Sequence, residues 1–146
     1  DEEQEIMRRY GAGSGRLPEV DAVIDEQKIL ADREAIKAHV HVEEPIIAIV
    51  QRILDETRPE RTSLESVREL IERGGGASPR AGIGMIYAAR VNAVMEGRNF
   101  VTPDDLVAVV TPILRHRLVF RPGEVQEEET EQRLAEIIEE ILRQVL

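Results

Sequence analysis

The amino-acid sequence predicts a mainly α-helical bundle. Apolar residues recur at helical spacing in several segments of the chain. Many of these segments open with residues that cap or start helices, such as Ser-Pro and Thr-Pro. Alternating patterns are brief and leave room for only a few very short β-strands. The 146 residues are enough to bury the core of one ordinary domain.

Composition excludes several classes of protein. Hydrophobic residues make up 42% of the chain and charged residues 33%, which excludes a chain that is disordered by composition. No apolar run approaches the length that crosses a bilayer, so we expect no membrane partner. Cysteine is absent, so disulfides, thiolate metal sites and cysteine nucleophiles are excluded. The net charge of -10 comes from residues 1–5 and 124–146, and the body of the chain between them is neutral. A negative net charge disfavours binding to phosphate backbones, so no nucleic-acid partner is expected.

The N-terminal quarter is predicted to hold two helices and a connector. The first helix covers Asp1 to Tyr10, and Asp25 is a plausible N-cap for the second. Between them, Val20 to Ile24 alternates weakly and predicts a short extended piece. The glycine-rich residues 11–16 resemble a phosphate loop, but the lysine that such a loop needs is missing. A flexible connector is therefore expected there.

The middle of the chain predicts two helices after a brief strand at His39 to Val42. One helix begins at Glu43 and stops before Pro59, because the residue before a proline avoids the α region. The other covers Leu64 to Arg73 and is closed by three glycines. The apolar side of the first of these helices is expected to contain Ile46, Ile47, Val50, Ile53 and Leu54.

Three further helices are predicted in the C-terminal half. Ser78 and Pro79 start a long helix that runs to about Gly97. Thr102 starts the next with a near capping box, in which Asp105 replaces the usual glutamate. An amphipathic helix covers Thr130 to Leu146. The apolar side of the long helix is expected to contain Ile83, Ile86, Tyr87, Val91 and Val94.

The histidines do not predict a metal site. His39 and His41 would point the same way on a strand, but no third ligand is indicated beside them. His116 precedes Arg117 at a helix end, where a capping role is sufficient. We therefore expect no bound metal in this chain.

The strongest local signal lies at residues 74–81, where three glycines precede Ala77, Ser78, Pro79 and Arg80. A helix start presents free N–H groups with partial positive charge, and an arginine there lies against the helix dipole. Such an arginine favours an anionic partner. Pairing with a nearby surface acid is the alternative, and local physics leaves both interpretations open.

A family resemblance bears on that choice. The runs at residues 76–81, 88–90, 97–98, 101–105 and 114–118 closely resemble the C-terminal part of the MoxR-type AAA+ ATPases. The resemblance implies the helical lid that packs on a nucleotide-binding core. We therefore expect a lid domain over residues 1–123 and an acidic amphipathic helix over residues 124–146 that packs on the same domain.

The same resemblance implies the site. Arg80 would be the sensor 2 arginine, a catalytic residue that reaches the terminal phosphates of the nucleotide. Ser78, Pro79, Arg80 and Ala81 would form the nucleotide-binding turn. ATP and Mg²⁺ would be held mainly by a core domain that this sequence lacks, so the chain alone is expected not to hydrolyse ATP.

The resemblance also implies a parent protein. The parent would be a cytoplasmic ATP hydrolase that acts as a chaperone-like remodelling machine. The acidic start without methionine, which lacks the features of a signal peptide, is in keeping with a piece of a longer cytoplasmic protein. Its expected partners are its own AAA+ core, the neighbouring subunits of a hexameric ring and proteins with von Willebrand factor A domains.

The sequence also suggests two alternatives to the function of a lid domain. The chain would be an autonomous helical interaction module if the last helix docked a partner through Leu134, Ile138, Ile141 and Val145. A helix-turn-helix reader beginning at Thr102 is disfavoured, because two aspartates stand where that helix would meet bases.

Overall fold

A computed structural model describes residues 2–11 and 21–146. Asp1, Val20 and most of the predicted glycine-rich connector lie outside the described residues. The chain divides into two compact units, Asp1–Asp32 and Arg33–Leu146. Helix α2, Glu26–His39, contributes residues to both units.

The first unit contains a short helix in place of the longer one predicted over Asp1 to Tyr10. Helix α1 covers Glu2–Ile6 and continues as a π-helical turn at Met7–Gly11. Residues 21–24 form no strand, so the extended piece predicted there is wrong for that part of the segment. The N-cap prediction at Asp25 is confirmed, because its carboxylate accepts a hydrogen bond of 2.7 Å from the N–H of Lys28.

The second unit is a helical bundle, which confirms the predicted fold class. Its described residues form no extended strand, and the short β-strands are reduced to single bridges. His41 pairs in parallel with Phe100, and Ile71 pairs antiparallel with Phe120. The helices are α3 at Glu44–Glu56, α4 at Glu65–Leu70, α5 at Pro79–Met95, α6 at Pro103–Leu114 and α7 at Thr130–Val145.

The core of this unit lies where α5 packs against α3 and α6, and where α7 packs against the same two helices. The helical spacing of apolar residues in α3 and α7 gives each helix one apolar stripe. Four of the five residues predicted for α3 are buried, whereas Ile47 is exposed. The α7 residues in the core are Leu134, Ile137, Ile138, Ile141 and Val145.

The side of helix α5 that faces the core is nearly opposite to the apolar side that the sequence predicts. Its fully buried positions are small or flexible residues, namely Ala81, Met85, Ala89 and Ala93. Small side chains let the neighbouring helices approach closely. A Cβ on Gly82 would lie 2.9 Å from Leu54 Cδ1. The bulky residues of the predicted apolar side are exposed by 43% to 54% at Ile83, Tyr87, Val91 and Val94, and only Ile86 packs on the core.

Helix α4 is shorter than predicted, because tertiary hydrogen bonds take over its last turn. It ends at Leu70, and Ile71 has extended backbone angles. The carbonyl oxygen of Leu70 accepts from the N–H of Arg121 at 2.8 Å, and the N–H of Glu72 donates to Val119 O at 2.9 Å. The returning segment around Val119 therefore replaces helical bonds that the sequence pattern alone predicts.

The start of α6 is fixed by a buried carboxylate. Asp105 is fully buried, and its oxygens accept bonds of 2.7 Å from both Nη atoms of Arg98 and from Asn92 Nδ2. The N–H of Thr102 donates to the same carboxylate at 2.7 Å, which confirms the predicted near capping box. These bonds join the end of α5 to the start of α6.

None of the helices within residues 2–11 and 21–146 is long and apolar enough to cross a membrane.

Candidate functional site

The turn that precedes α5 is attached to the end of α3 by a buried threonine. The Thr57 side chain is fully buried, and its hydroxyl donates to Leu54 O at 2.7 Å. The same oxygen accepts a bond of 2.9 Å from the N–H of Ala77. One side chain therefore fixes both the last turn of α3 and the residue that leads into Ser78.

Arg58 makes a second connection to the same turn. Its Nη2 donates to Ala77 O at 3.1 Å, and its Nη1 lies 3.0 Å from Asp55 Oδ1. Arg61 also donates to that carboxylate, at 2.8 Å. The hydrogen bonds from Gln51 and Arg61, together with the positive charges of Arg61 and Arg58, lower the pKa of Asp55 against the opposing effect of burial. The carboxylate therefore stays ionised and holds Arg58 in place.

The glycine at position 76 is required by this close packing. A Cβ there would lie 2.7 Å from the carbonyl oxygen of Thr57 and 2.8 Å from Arg58 Cγ. The neighbouring Gly75 accepts from the N–H of Val119 at 3.0 Å and donates to Glu72 O at 2.8 Å. The segments that closely approach these glycines therefore belong to the chain itself.

Helix α5 begins where the sequence predicts. Ser78 has extended backbone angles at the N-cap position, but its side chain makes no capping hydrogen bond. Pro79 is the first helical residue, and its fixed φ suits that position. Ser78, Pro79 and Arg80 are exposed, whereas Ala81 is fully buried. The buried alanine anchors the first turn, and Arg80 is left on its outer side.

The electrostatic surroundings of Arg80 favour an anion. The first turn of α5 contains no acidic residue. Among residues 2–11 and 21–146, no carboxylate lies within ion-pairing distance of Arg80, although ten other ion pairs are formed there. The alternative in which a nearby acid neutralises Arg80 therefore finds no support in these parts of the chain. A free guanidinium at a helix start fits the oxygens of a phosphate.

Thr57 and Arg58 were missed by the sequence analysis. Both residues follow a helix and precede Pro59, a position where the sequence indicates only a helix end. Their role depends on contact with Ala77, which is about twenty residues away along the chain. No local pattern in the sequence distinguishes them from ordinary residues at the C-terminal end of a helix.

The apolar face of the last helix is not available as a docking surface. Leu134, Ile138, Ile141 and Val145 are at most 6% exposed, because they pack in the core of the chain's own bundle. The prediction of an interaction module that docks a partner through these four side chains is therefore wrong. The polar face of α7 remains exposed and acidic, with Glu131, Glu136 and Glu139 on its surface.

The histidines have other contacts. His39 Nδ1 lies 2.8 Å from Ala35 O, and the backbone N–H of His41 donates to Asn99 O at 2.8 Å. In the described parts of the chain, no three histidine, aspartate or glutamate side chains are placed to hold a metal ion. The carboxylates with lowered pKa values are instead engaged by arginine and amide donors.

Comparison with known families identifies the class that this bundle represents. The family model described as the AAA lid domain matches residues 67–141, which is just over half of the chain. The matched region begins in α4, includes the turn with Arg80 and ends in α7. The chain therefore belongs to the AAA lid domain family.

Similar proteins then narrow the family to the lids of MoxR-type AAA+ ATPases. The chaperone MoxR1 of Mycobacterium tuberculosis is 36% identical over 120 residues, which cover 82% of this chain and 30% of that protein. The MoxR protein of Methylorubrum extorquens is 32% identical over 131 residues, which cover 87% of this chain and 36% of that protein. The resemblance noted from residues 76–118 is thus confirmed.

A solved structure has the same fold. The crystal structure of a candidate ATPase from Cytophaga hutchinsonii matches 99% of this chain with a TM-score of 0.71 and 28% identity. This chain covers 42% of that one. This chain likewise spans about a third of the length of the two curated relatives described above.

Proposed function

We propose that this chain is the sensor 2 lid of a MoxR-like AAA+ ATPase. In the parent protein, Arg80 reaches the terminal phosphates of an ATP molecule that the core domain binds together with Mg²⁺. The observation that carries this proposal is the exposed guanidinium of Arg80, which has no acidic partner in the described parts of the chain and stands in the first turn of α5.

The surrounding residues support the role of Arg80 by holding the turn. Pro79 starts the helix with a fixed φ, and Ala81 anchors the first turn in the core. Thr57 attaches the preceding residue to α3. A guanidinium held in this way can bind two phosphate oxygens as a fork at little entropic cost. Ser78, Pro79, Arg80 and Ala81 together make up the proposed nucleotide-facing turn.

The same contact couples the nucleotide to lid movement. Loss of the terminal phosphate removes the partner of Arg80, so the preferred angle between lid and core changes. In a ring of subunits, such changes would drive the remodelling of partner proteins, and one relative is named a chaperone. We propose the parent's own core, neighbouring subunits of a hexameric ring and von Willebrand factor A domain proteins as partners, in the cytoplasm.

The proposal is tested by ATP turnover of the full-length parent. Arg80→Ala should lower turnover by about a hundredfold or more, because a positioned donor to the developing charge is lost. Arg80→Lys should restore only part of it, since an ammonium cannot form the fork. Arg143→Ala removes an exposed arginine of α7 and serves as the matched control. Wild-type turnover in Arg80→Ala would contradict the proposal.

A further inference from the structure

Both polar backbone groups of Ala77 are held by the residues that follow α3. The N–H of Ala77 donates to Thr57 Oγ1 at 2.9 Å, and its carbonyl oxygen accepts from Arg58 Nη2 at 3.1 Å. At Gly76, the residue before it, an added Cβ would lie only 2.7 Å from Thr57 O. The two peptide groups that flank Ala77 are therefore both fixed to the end of α3.

Arg58 is a firm support for Ala77 because a carboxylate holds its other nitrogen. Arg58 Nη1 lies 3.0 Å from Asp55 Oδ1, while Nη2 is the atom that reaches Ala77 O. The Arg58 side chain is only 17% exposed, so little water competes for either bond. A guanidinium has its donors in a rigid planar fork, so a bond at one nitrogen orients the other. The position of the α3 end therefore determines the position of the Ala77 carbonyl group.

Neutralisation of Asp55 does not require Arg58. The Asp55 carboxylate also accepts a bond of 2.8 Å from Arg61 Nη1 and one of 3.1 Å from Gln51 Nε2. The Asp55 side chain is partly exposed, and ion pairs that water reaches contribute little to stability. The contact that distinguishes Arg58 from Arg61 is therefore the one with Ala77.

Little backbone freedom separates Ala77 from Arg80. Ser78 makes no capping hydrogen bond with its side chain, so α5 does not fix its own start. Pro79 has a fixed φ, and the N–H of Ala81 donates to Ser78 O at 2.8 Å. Ala81 is also fully buried. The backbone of Arg80 is thus held from both sides, by the contacts of Ala77 before it and by the burial of Ala81 after it.

We propose that Arg58 is a positioning residue for Arg80. This role rests on the proposed function, in which Arg80 contacts the terminal phosphates of ATP. Arg58 acts through the carbonyl group of Ala77, which stands three residues before Arg80. Without that bond the first turn of α5 can shift relative to α3, and a displacement of about 1 Å can lower the rate of an enzyme by about a hundredfold. Arg58 therefore affects ATP turnover only while Arg80 is present.

The test is a double-mutant cycle on ATP turnover by the full-length parent. Arg58→Met removes the donors but keeps the apolar stem of the side chain. Because Thr57 still holds the N–H of Ala77, Arg58→Met should lower kcat by about tenfold and change the KM for ATP by less than about twofold. In an Arg80→Ala background, the same substitution should lower turnover by less than about a further twofold, because the group that it positions is gone.

Arg61→Met is the matched control. Arg61 donates to the same carboxylate, whereas the bond to Ala77 O comes from Arg58. Its removal should change turnover by less than about twofold. Circular dichroism verifies that each variant is folded. If Arg58→Met does not fold, Arg58→Lys takes its place in the cycle, because an ammonium keeps the charge beside Asp55 but lacks the second nitrogen of the fork.

Two results would overturn the positioning role. One is unchanged turnover in the Arg58 variant. The other is an equal fold loss with and without Arg80, which is what a purely structural role of Arg58 predicts. Both results leave the proposed function in place as long as Arg80→Ala itself loses turnover. Wild-type turnover in Arg80→Ala contradicts the proposed function, and the positioning role of Arg58 falls with it.

Discussion

At the scale of single residues, the connections that matter most are made by buried polar side chains. Thr57 holds the turn before α5, and Asp105 holds the start of α6. Arg98 foremost, and then Thr102 and Asn92, hold the pKa of the Asp105 carboxyl well below its usual range, although burial opposes them. A carboxylate with this many donors stabilises the fold only while it is ionised.

This predicts a specific dependence of stability on pH. Asp105→Asn should lower the free energy of unfolding by about 3 kcal/mol at neutral pH, because Arg98 loses its buried partner. The folded-state pKa is lowered, so the stabilisation is complete above the unfolded value of about 3.9 and is lost as pH falls below it. Denaturation by urea at a series of pH values should therefore show wild type and variant converging between about pH 5 and pH 2.

The neighbouring Asp104 supplies the control for this measurement. It is exposed in the same helical turn, so Asp104→Asn should cost far less and leave the pH dependence of wild type in place. A gap between wild type and Asp105→Asn that stays constant from about pH 6 to pH 2 would refute the role given to the carboxylate.

At the scale of elements, helix α5 shows that the bulky apolar residues of a helix are not always the buried ones. Its small residues face the core and its bulky residues face outward, which explains why periodicity alone predicted the wrong face. The apolar pattern of α5 fits two stripes, and only packing against α3 and α6 decides which one is buried. In α3 and α7 a single stripe exists, and there most of the predicted core residues are buried.

The assignment of the faces predicts an inverted pattern of mutational effects. Ala89→Leu should destabilise the chain by about 1–3 kcal/mol, because a larger side chain enters a filled space. Val94→Ala should cost less than about 0.5 kcal/mol, since that residue is 43% exposed and alanine favours a helix. Thermal denaturation of both variants checks this. A larger loss for Val94→Ala than for Ala89→Leu would show that the predicted face was correct.

At the scale of the whole molecule, the sequence predicts the helical bundle and most helix starts correctly. Those features depend on local signals such as Pro79, Pro103 and the Asp25 cap. Contacts between distant segments were not predictable in the same way. The shortened α4 depends on the segment around Val119, and the anchoring of the α5 turn depends on Thr57. The helix start and a family resemblance predict Arg80 as a site residue, and that role stays a prediction.

In the complete ATPase, we propose that Arg80 contacts the terminal phosphate of the bound nucleotide. A structure of the full-length parent with Mg²⁺ and a non-hydrolysable ATP analogue tests this contact. We expect a guanidinium nitrogen of Arg80 at about 2.7–3.2 Å from an oxygen of the terminal phosphate. An ordered Arg80 directed away from the nucleotide, more than about 6 Å from any phosphate oxygen, would contradict it.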